Sequence, residues 1–182
     1  MADDVKRIDL PATREDLAGL RVGDAVELYG IIYTMRDAGH ARALEYLNKN
    51  DELPYGLNGQ ALFYAGPTEP AASRPFGAIG PTTASRMDFA APALYEAGIT
   101  VTLGKGARAR EVANACGQTG GVYLAAVGGA AAYLATFVCQ SELIAWEDLG
   151  TEALRKLTLN GLPAFVAIDP TGTSLYDDMQ VG

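Results

Sequence analysis

Between residues 83 and 147 the chain changes hydrophobic period again and again, and that alternation narrows its fold more than any other feature. Helix-spaced stretches at 83–97, 108–116 and 129–138 are interleaved with the short apolar runs ITVTLG, VYLAAVG and ELIAWE. Parallel strands need a crossover of a dozen or more residues, so the pattern predicts βαβ units and a largely parallel sheet. Upstream, DAVELYGIIYTM (24–35) and ALFYAG (61–66) read as further strands. Between them Ala38, Ala41, Leu44 and Leu47 recur at helical spacing, with Asp37 placed to cap the helix. NKNDELPYGLNG then forms a loop that closes on the Asn58-Gly59 turn. Residues 1–20 give an extended lead-in and a short helix with Thr13 and Asp16 as a capping box. Residues 156–159 and 165–168, followed by a D-P-T-G turn at 169–172, predict a hairpin-like addition. No repeat or linker divides the 182 residues, so one α/β domain over 1–182 is expected.

The 22 acidic residues outnumber the 14 basic ones, for a formal charge of -8. That balance repels phosphate backbones and anionic lipid surfaces, which argues against nucleic-acid or membrane partners. No apolar run approaches the roughly 18 residues of a membrane span, and MADDVKRIDLPAT lacks the apolar stretch of a signal peptide. A soluble, cytoplasmic protein is the expectation. Two cysteines, Cys116 and Cys139, and one histidine, His40, are too few for a tetrahedral zinc site or an iron–sulfur cluster. A metal used by this protein is expected to arrive on a partner.

Basic residues recur where strands hand over to helices, the usual place for ligand groups in α/β sheets. In GPTTASRMD (80–88) a Gly-Pro turn precedes two hydroxyls, Thr82 and Thr83, with Arg86 one turn on and Asp88 closing the motif. This stretch is either a helix cap with a surface arginine or an anion site whose guanidinium fork clamps a carboxylate. Arg36, in YTMRDAGH, is open to two readings as well: a ligand group, or the ion-pair partner of Asp37 or another carboxylate. His40 lies one turn further, as a proton carrier or as a residue that orients the loop. Lys105, in LGKGARAR, stands between glycines after an apolar strand. The glycines allow close approach of a ligand, while the upstream glycines of a phosphate loop are missing. Gly128 and Gly129 precede the alanine-rich helix and serve either anion binding or tight packing. Taken together, three cations at three element ends describe a pocket for a small dianion.

With these residues in place, the chain resembles the β subunit, or C-terminal domain, of the iron–sulfur class I fumarate hydratase and L-tartrate dehydratase family. The likeness covers nearly the whole sequence, through YTMRDAGHARA, LNGQALFYAGP, GPTTASRMD, LGKGARAREV, GGVYLAAVGGAAAYLA and LPAFVAIDPTG in that order. It implies a swivelling β/β/α three-layer domain with a largely parallel central sheet. It also implies a hydro-lyase that interconverts (S)-malate and fumarate with a 4Fe-4S cluster. By the resemblance the cluster comes from a partner α subunit, this chain alone binding none, and the assembly is α2β2. Arg36, Arg86 and Lys105 are implied as carboxylate-binding cations, and Thr82 and Lys105 as catalytic residues, Thr82 exchanging the proton on carbon. Asp37, His40, Thr83, Asp88, Gly128 and Gly129 are expected to support them.

Three positions depart from the family pattern, with Ser85 for glycine, Ala107 for asparagine and Ala130 for proline. They leave L-tartrate or a mesaconate-type diacid open as the substrate. A dicarboxylate-binding domain without catalysis is the alternative from another class.

Overall fold

The computed structural model describes residues 5–68, 77–126 and 129–177. Seven strands form one mixed sheet in the order β1-β2-β3-β4-β5-β7-β6, with β2 also paired to β7. They are β1 (Lys6–Leu10), β2 (Ala25–Thr34), β3 (Ala61–Phe63), β4 (Val101–Gly104), β5 (Val122–Ala125), β6 (Val138–Ala145) and β7 (Leu154–Ile168). The β2–β7 pairing completes a circuit β2-β3-β4-β5-β7, so the sheet curls into a barrel-like closure. Among the described residues five α-helices lie between the strands: α1 (Arg14–Leu17), α2 (Asp37–Asn50), α3 (Ala91–Glu96), α4 (Arg110–Thr119) and α5 (Ala131–Leu134).

Side-chain alternation explains the two apolar layers. In β3, Ala61 and Phe63 join one cluster while Leu62 joins the other, and in β5 Val122 and Leu124 are divided from Tyr123 in the same way. The inner cluster gathers Leu28, Ile32, Val101, Leu103, Leu157, Leu162 and Val166. The outer one packs the sheet against helices through Ala43 of α2, Leu94 of α3 and Val112 and Cys116 of α4. Strands covered on both faces read as continuous apolar runs, as ITVTLG and VYLAAVG do. Each fully buried Leu or Phe contributes about 1.5–3 kcal/mol.

The parallel part of the sheet follows expectation: β1–β2, β2–β3, β3–β4 and β4–β5 are parallel. The rest corrects it. The expected hairpin at the end of the chain is a single 15-residue strand, β7, antiparallel to β2, β5 and β6. The sheet is therefore mixed rather than largely parallel. β7 reaches all three partners because irregularities near Leu28, Tyr123 and Val138 let it bend around the circuit. Residues 6–10, expected as extended lead-in, form a true strand, and the Thr13/Asp16 capping box that follows is present in both directions. The helix expected over 83–97 is two pieces, a 3-10 turn at Ala84–Met87 and then α3, with Pro92 in the first turn of α3.

Because β2, β3, β4 and β5 run parallel, their carboxyl ends lie together at one rim of the sheet. The segments that follow them carry Arg36, Tyr64 and Lys105.

Candidate functional site

Residues 80–84 lie across the ends of β3 and β4. Thr82 N donates to the Tyr64 carbonyl at 2.6 Å, Lys105 N donates to the Thr82 carbonyl at 3.2 Å, and Ala84 N donates to the Lys105 carbonyl at 2.9 Å. Thr83 and Lys105 form a parallel bridge. The backbone thus ties Thr82 and Lys105 side by side, although 23 positions separate them in sequence. The close approach needs Gly104, since a Cβ there would meet Ala84 Cβ and Tyr64 Cδ2 at 2.9 Å each. Thr82 and Lys105 are half-buried and Thr83 is exposed. Thr83 makes no side-chain cap bond to the turn that follows it, so the motif does not begin a capped helix.

The arginines each meet a carboxylate of this chain. Arg86 donates from Nε to Asp37 Oδ1 at 3.0 Å and places Nη2 within ion-pair range of Oδ2 at 2.8 Å without a hydrogen bond to it, leaving its other terminal nitrogen outside the pair. Arg36 donates from Nη2 to Glu152 Oε1 at 3.1 Å. The second Glu152 oxygen accepts from Ala38 N at 2.8 Å. Glu152 thereby does the capping expected of Asp37, which sits inside the first turn of α2, where the helix dipole favours its charge. Gly66 closes the back of this corner, because a Cβ there would come within 2.5 Å of the Thr151 carbonyl and 3.2 Å of Arg36 Nε. Among the described residues no carboxylate pairs with Lys105, which leaves it the cation of the rim without an internal counter-charge.

His40 is fully buried, edge-on to the Tyr64 ring at 5.0 Å. Its Nδ1 lies 2.9 Å from the Arg36 carbonyl, to which the neutral ring donates. Burial pulls its pKa down to about 4, the nearby Arg108 charge adds to this, and the bond to Arg36 opposes it. At neutral pH His40 is an uncharged brace for the Arg36 turn.

Asp88 pairs with Arg108, whose Nε donates to Asp88 Oδ1 at 2.5 Å, while Ala109 N donates to Oδ2 at 2.7 Å. The Arg108 side chain has no exposed surface and lies over the rings of Tyr64 and Tyr123, at 5.1 and 4.8 Å from their centroids. Gly129 occupies a turn before α5 with φ 80°, and Gly128 lies outside the described residues. Ser85 and Ala107 are exposed beside the rim, and Ala130 is half-buried at the start of α5.

The structure therefore brings Thr82, Thr83 and Lys105 together directly, and ties Arg86 to the Arg36 turn through Asp37. Sequence reading missed Glu152, Arg108 and Tyr64. Glu152 and Tyr64 carry no local signal. Arg108, two residues from Arg110 in GARAR, offered a weak one, since an amphipathic helix start with two arginines that close cannot expose both in the same way.

These features define a mixed α/β protein with a cationic rim at its strand ends. The family model described as Fumarase C-terminus matches residues 1–179, and the chain belongs to that family. It is 37% identical over 173 residues to the putative L(+)-tartrate dehydratase subunit beta of Methanocaldococcus jannaschii, covering 92% of this chain and 89% of that protein. It is 36% identical over 176 residues to fumarate hydratase 2 of Leishmania major and 36% over 160 residues to the anaerobic class I fumarate hydratase of Escherichia coli. Those matches cover 95% and 87% of this chain but only 31% and 29% of the relatives, so the chain spans about a third of the fumarate hydratases it matches.

Proposed function

We propose that this chain is the β-type part of a two-component 4Fe-4S hydro-lyase that interconverts (S)-malate and fumarate, and that Thr82, Lys105, Arg86 and Arg36 are its share of the dicarboxylate site. The observation that carries this reading is Lys105. It is held between Thr82 and Ala84 at a strand end, flanked by glycines, and has no counter-charge among the described residues. A lysine charge without a partner, on a loop whose glycines permit close approach, is available to an anionic ligand. Arg86 and Arg36, each fixed by one carboxylate, keep further N–H donors for a second carboxylate of the substrate.

The residues of this chain do not fit a cluster. Cys116 is buried in α4, its thiol pushed up to about 11 by desolvation, and Cys139 is exposed on β6. Among the described residues no three of His, Cys, Asp and Glu gather into a metal-binding group. The reading therefore places the cluster on a partner α subunit. For this chain it leaves three tasks: holding the carboxylates, stabilising the charge that builds on one of them when the adjacent carbon loses its proton, and presenting the Thr82 hydroxyl to that carbon. A threonine hydroxyl is a weak base by itself, so Thr82 needs a carboxylate from the partner to take its proton.

A second reading, a tartrate dehydratase, is favoured by the near full-length match to a protein named as a tartrate dehydratase subunit beta. One experiment separates these. The assembled enzyme, produced anaerobically with its cluster-bearing partner, is assayed on L-malate, fumarate, L-tartrate and mesaconate. Turnover of malate and fumarate supports the first reading and turnover of tartrate the second. Binding without turnover supports a dicarboxylate-binding domain, and neither binding nor turnover defeats all three.

A further inference from the structure

Beneath the rim lies a charged side chain that none of the proposed substrate contacts uses. Arg108 is enclosed by protein, and enclosing a guanidinium is costly unless pairing and hydrogen bonds offset it. Apolar replacements of such buried pairs are often equally stable, so stability alone is a poor reason for this one. Its geometry supplies a better reason. Residues 82–88 and 104–109 are joined at two places. At the rim, Lys105 bonds through its backbone to Thr82 and Ala84. At the other end, Asp88 takes one bond from Arg108 Nε and one from Ala109 N. Thr82, Arg86 and Lys105 all lie on the two segments between those fastenings. The remaining arms of Arg108 approach Thr102 Oγ1 and the Tyr64 hydroxyl at 3.4 Å, which fixes the guanidinium plane to β4 and to the residue after β3. Tyr123, whose ring also lies against the guanidinium, donates from its hydroxyl to the Gly106 carbonyl at 2.8 Å and so holds the Lys105 loop.

We infer that Arg108, clamped by Asp88 and flanked by Tyr64 and Tyr123, is a positioning residue that sets Lys105 against Thr82 and Arg86. The inference rests on the dicarboxylate reading above. Arg108 touches no substrate and acts through Lys105. Lysine in its place keeps the charge but lacks the planar fork that meets Asp88, Thr102 and Tyr64 together. A displacement of Lys105 by a fraction of an ångström is costly for transition-state contacts and less so for ground-state docking, which Arg36 and Arg86 share.

The test uses the assembled enzyme with Arg108→Lys and Tyr123→Phe, each alone and each combined with Lys105→Met. Arg108→Lys should lower kcat by about 10-fold or more, and Tyr123→Phe by about 3-fold, with KM changing less than either. In the Lys105→Met background each should add almost nothing, because the residue it positions is gone. If the losses persist in full in that background, or if kcat is unchanged while only the melting temperature falls, the positioning role is overturned. Should Arg108→Lys fail to fold, Tyr123→Phe decides the matter by the same comparison. A wild-type enzyme inactive on every dicarboxylate overturns the hydro-lyase reading and this inference with it, whereas an active wild type with additive variants overturns the inference alone.

Discussion

Acid should weaken this fold in a window that belongs to one residue. His40 is the only histidine of the chain, so between pH 6.5 and about 5 it is the one side chain whose ordinary pKa lies in range. Its folded value is pulled from 6.5 to about 4, chiefly by burial. The unfolded chain therefore binds a proton near pH 6.5 that the folded chain refuses until near pH 4. Across that interval the unfolded state holds more protons, so stability rises with pH and is lost as pH falls. At about 1.4 kcal/mol per pH unit, about 2 kcal/mol disappears between pH 6.5 and 5, and about 3 kcal/mol by pH 4, where exposed carboxylates also begin to contribute. Urea unfolding followed by fluorescence of Trp146, the sole tryptophan, measures this at a series of pH values. His40→Asn keeps an N–H to offer the Arg36 carbonyl but cannot titrate. It should be less stable at pH 7 and should lack the slope between pH 6.5 and 5. Equal slopes in the two proteins would refute the assignment of a buried, neutral His40.

Two further perturbations probe the scaffold. Gly66→Ala forces a methyl to within 2.5 Å of the Thr151 carbonyl and 3.2 Å of Arg36 Nε, so the chain must shift there; a loss of about 1–3 kcal/mol and a raised KM for dicarboxylate are expected, checked by denaturant unfolding and steady-state kinetics. Tyr95→Phe removes a buried hydroxyl that bonds Thr102 Oγ1 at 2.6 Å and the Val122 carbonyl at 2.8 Å, leaving a buried acceptor short of one partner; about 1–3 kcal/mol should be lost in the same unfolding assay.

Local chemistry made part of this structure readable in advance. The βα alternation placed β2 through β5 within a few residues, and the capping box at Thr13 and Asp16 formed as its spacing required. These signals are local, arising from hydrophobic period and hydrogen bonds three residues apart. The closure of the sheet was hidden because β7 pairs with β2 across more than 100 positions, and no pattern inside LRKLTLNGLPAFVAI names its partner. The same holds at the rim. Thr82, Arg86 and Lys105 stand out in sequence through glycines and charge, but the carboxylates that fix the arginines do not. Glu152 caps a helix that begins 115 residues earlier, and it displaced the nearer candidate, Asp37, which the fold uses to hold Arg86. Arg108 offered only a weak signal, since burial of a charge is decided by Asp88 and two tyrosines from other elements.

Lys105 is where the dicarboxylate reading is most exposed to a single measurement. In the assembled enzyme, Lys105→Met keeps the length of the side chain and removes its charge, while the backbone bonds to Thr82 and Ala84 are retained. The expected result is a kcat/KM on malate or the preferred diacid lower by about 100-fold or more, with an unchanged unfolding midpoint. A variant that turns over its dicarboxylate as fast as the wild type would remove Lys105 from the site and leave the proposed function without the observation that supports it.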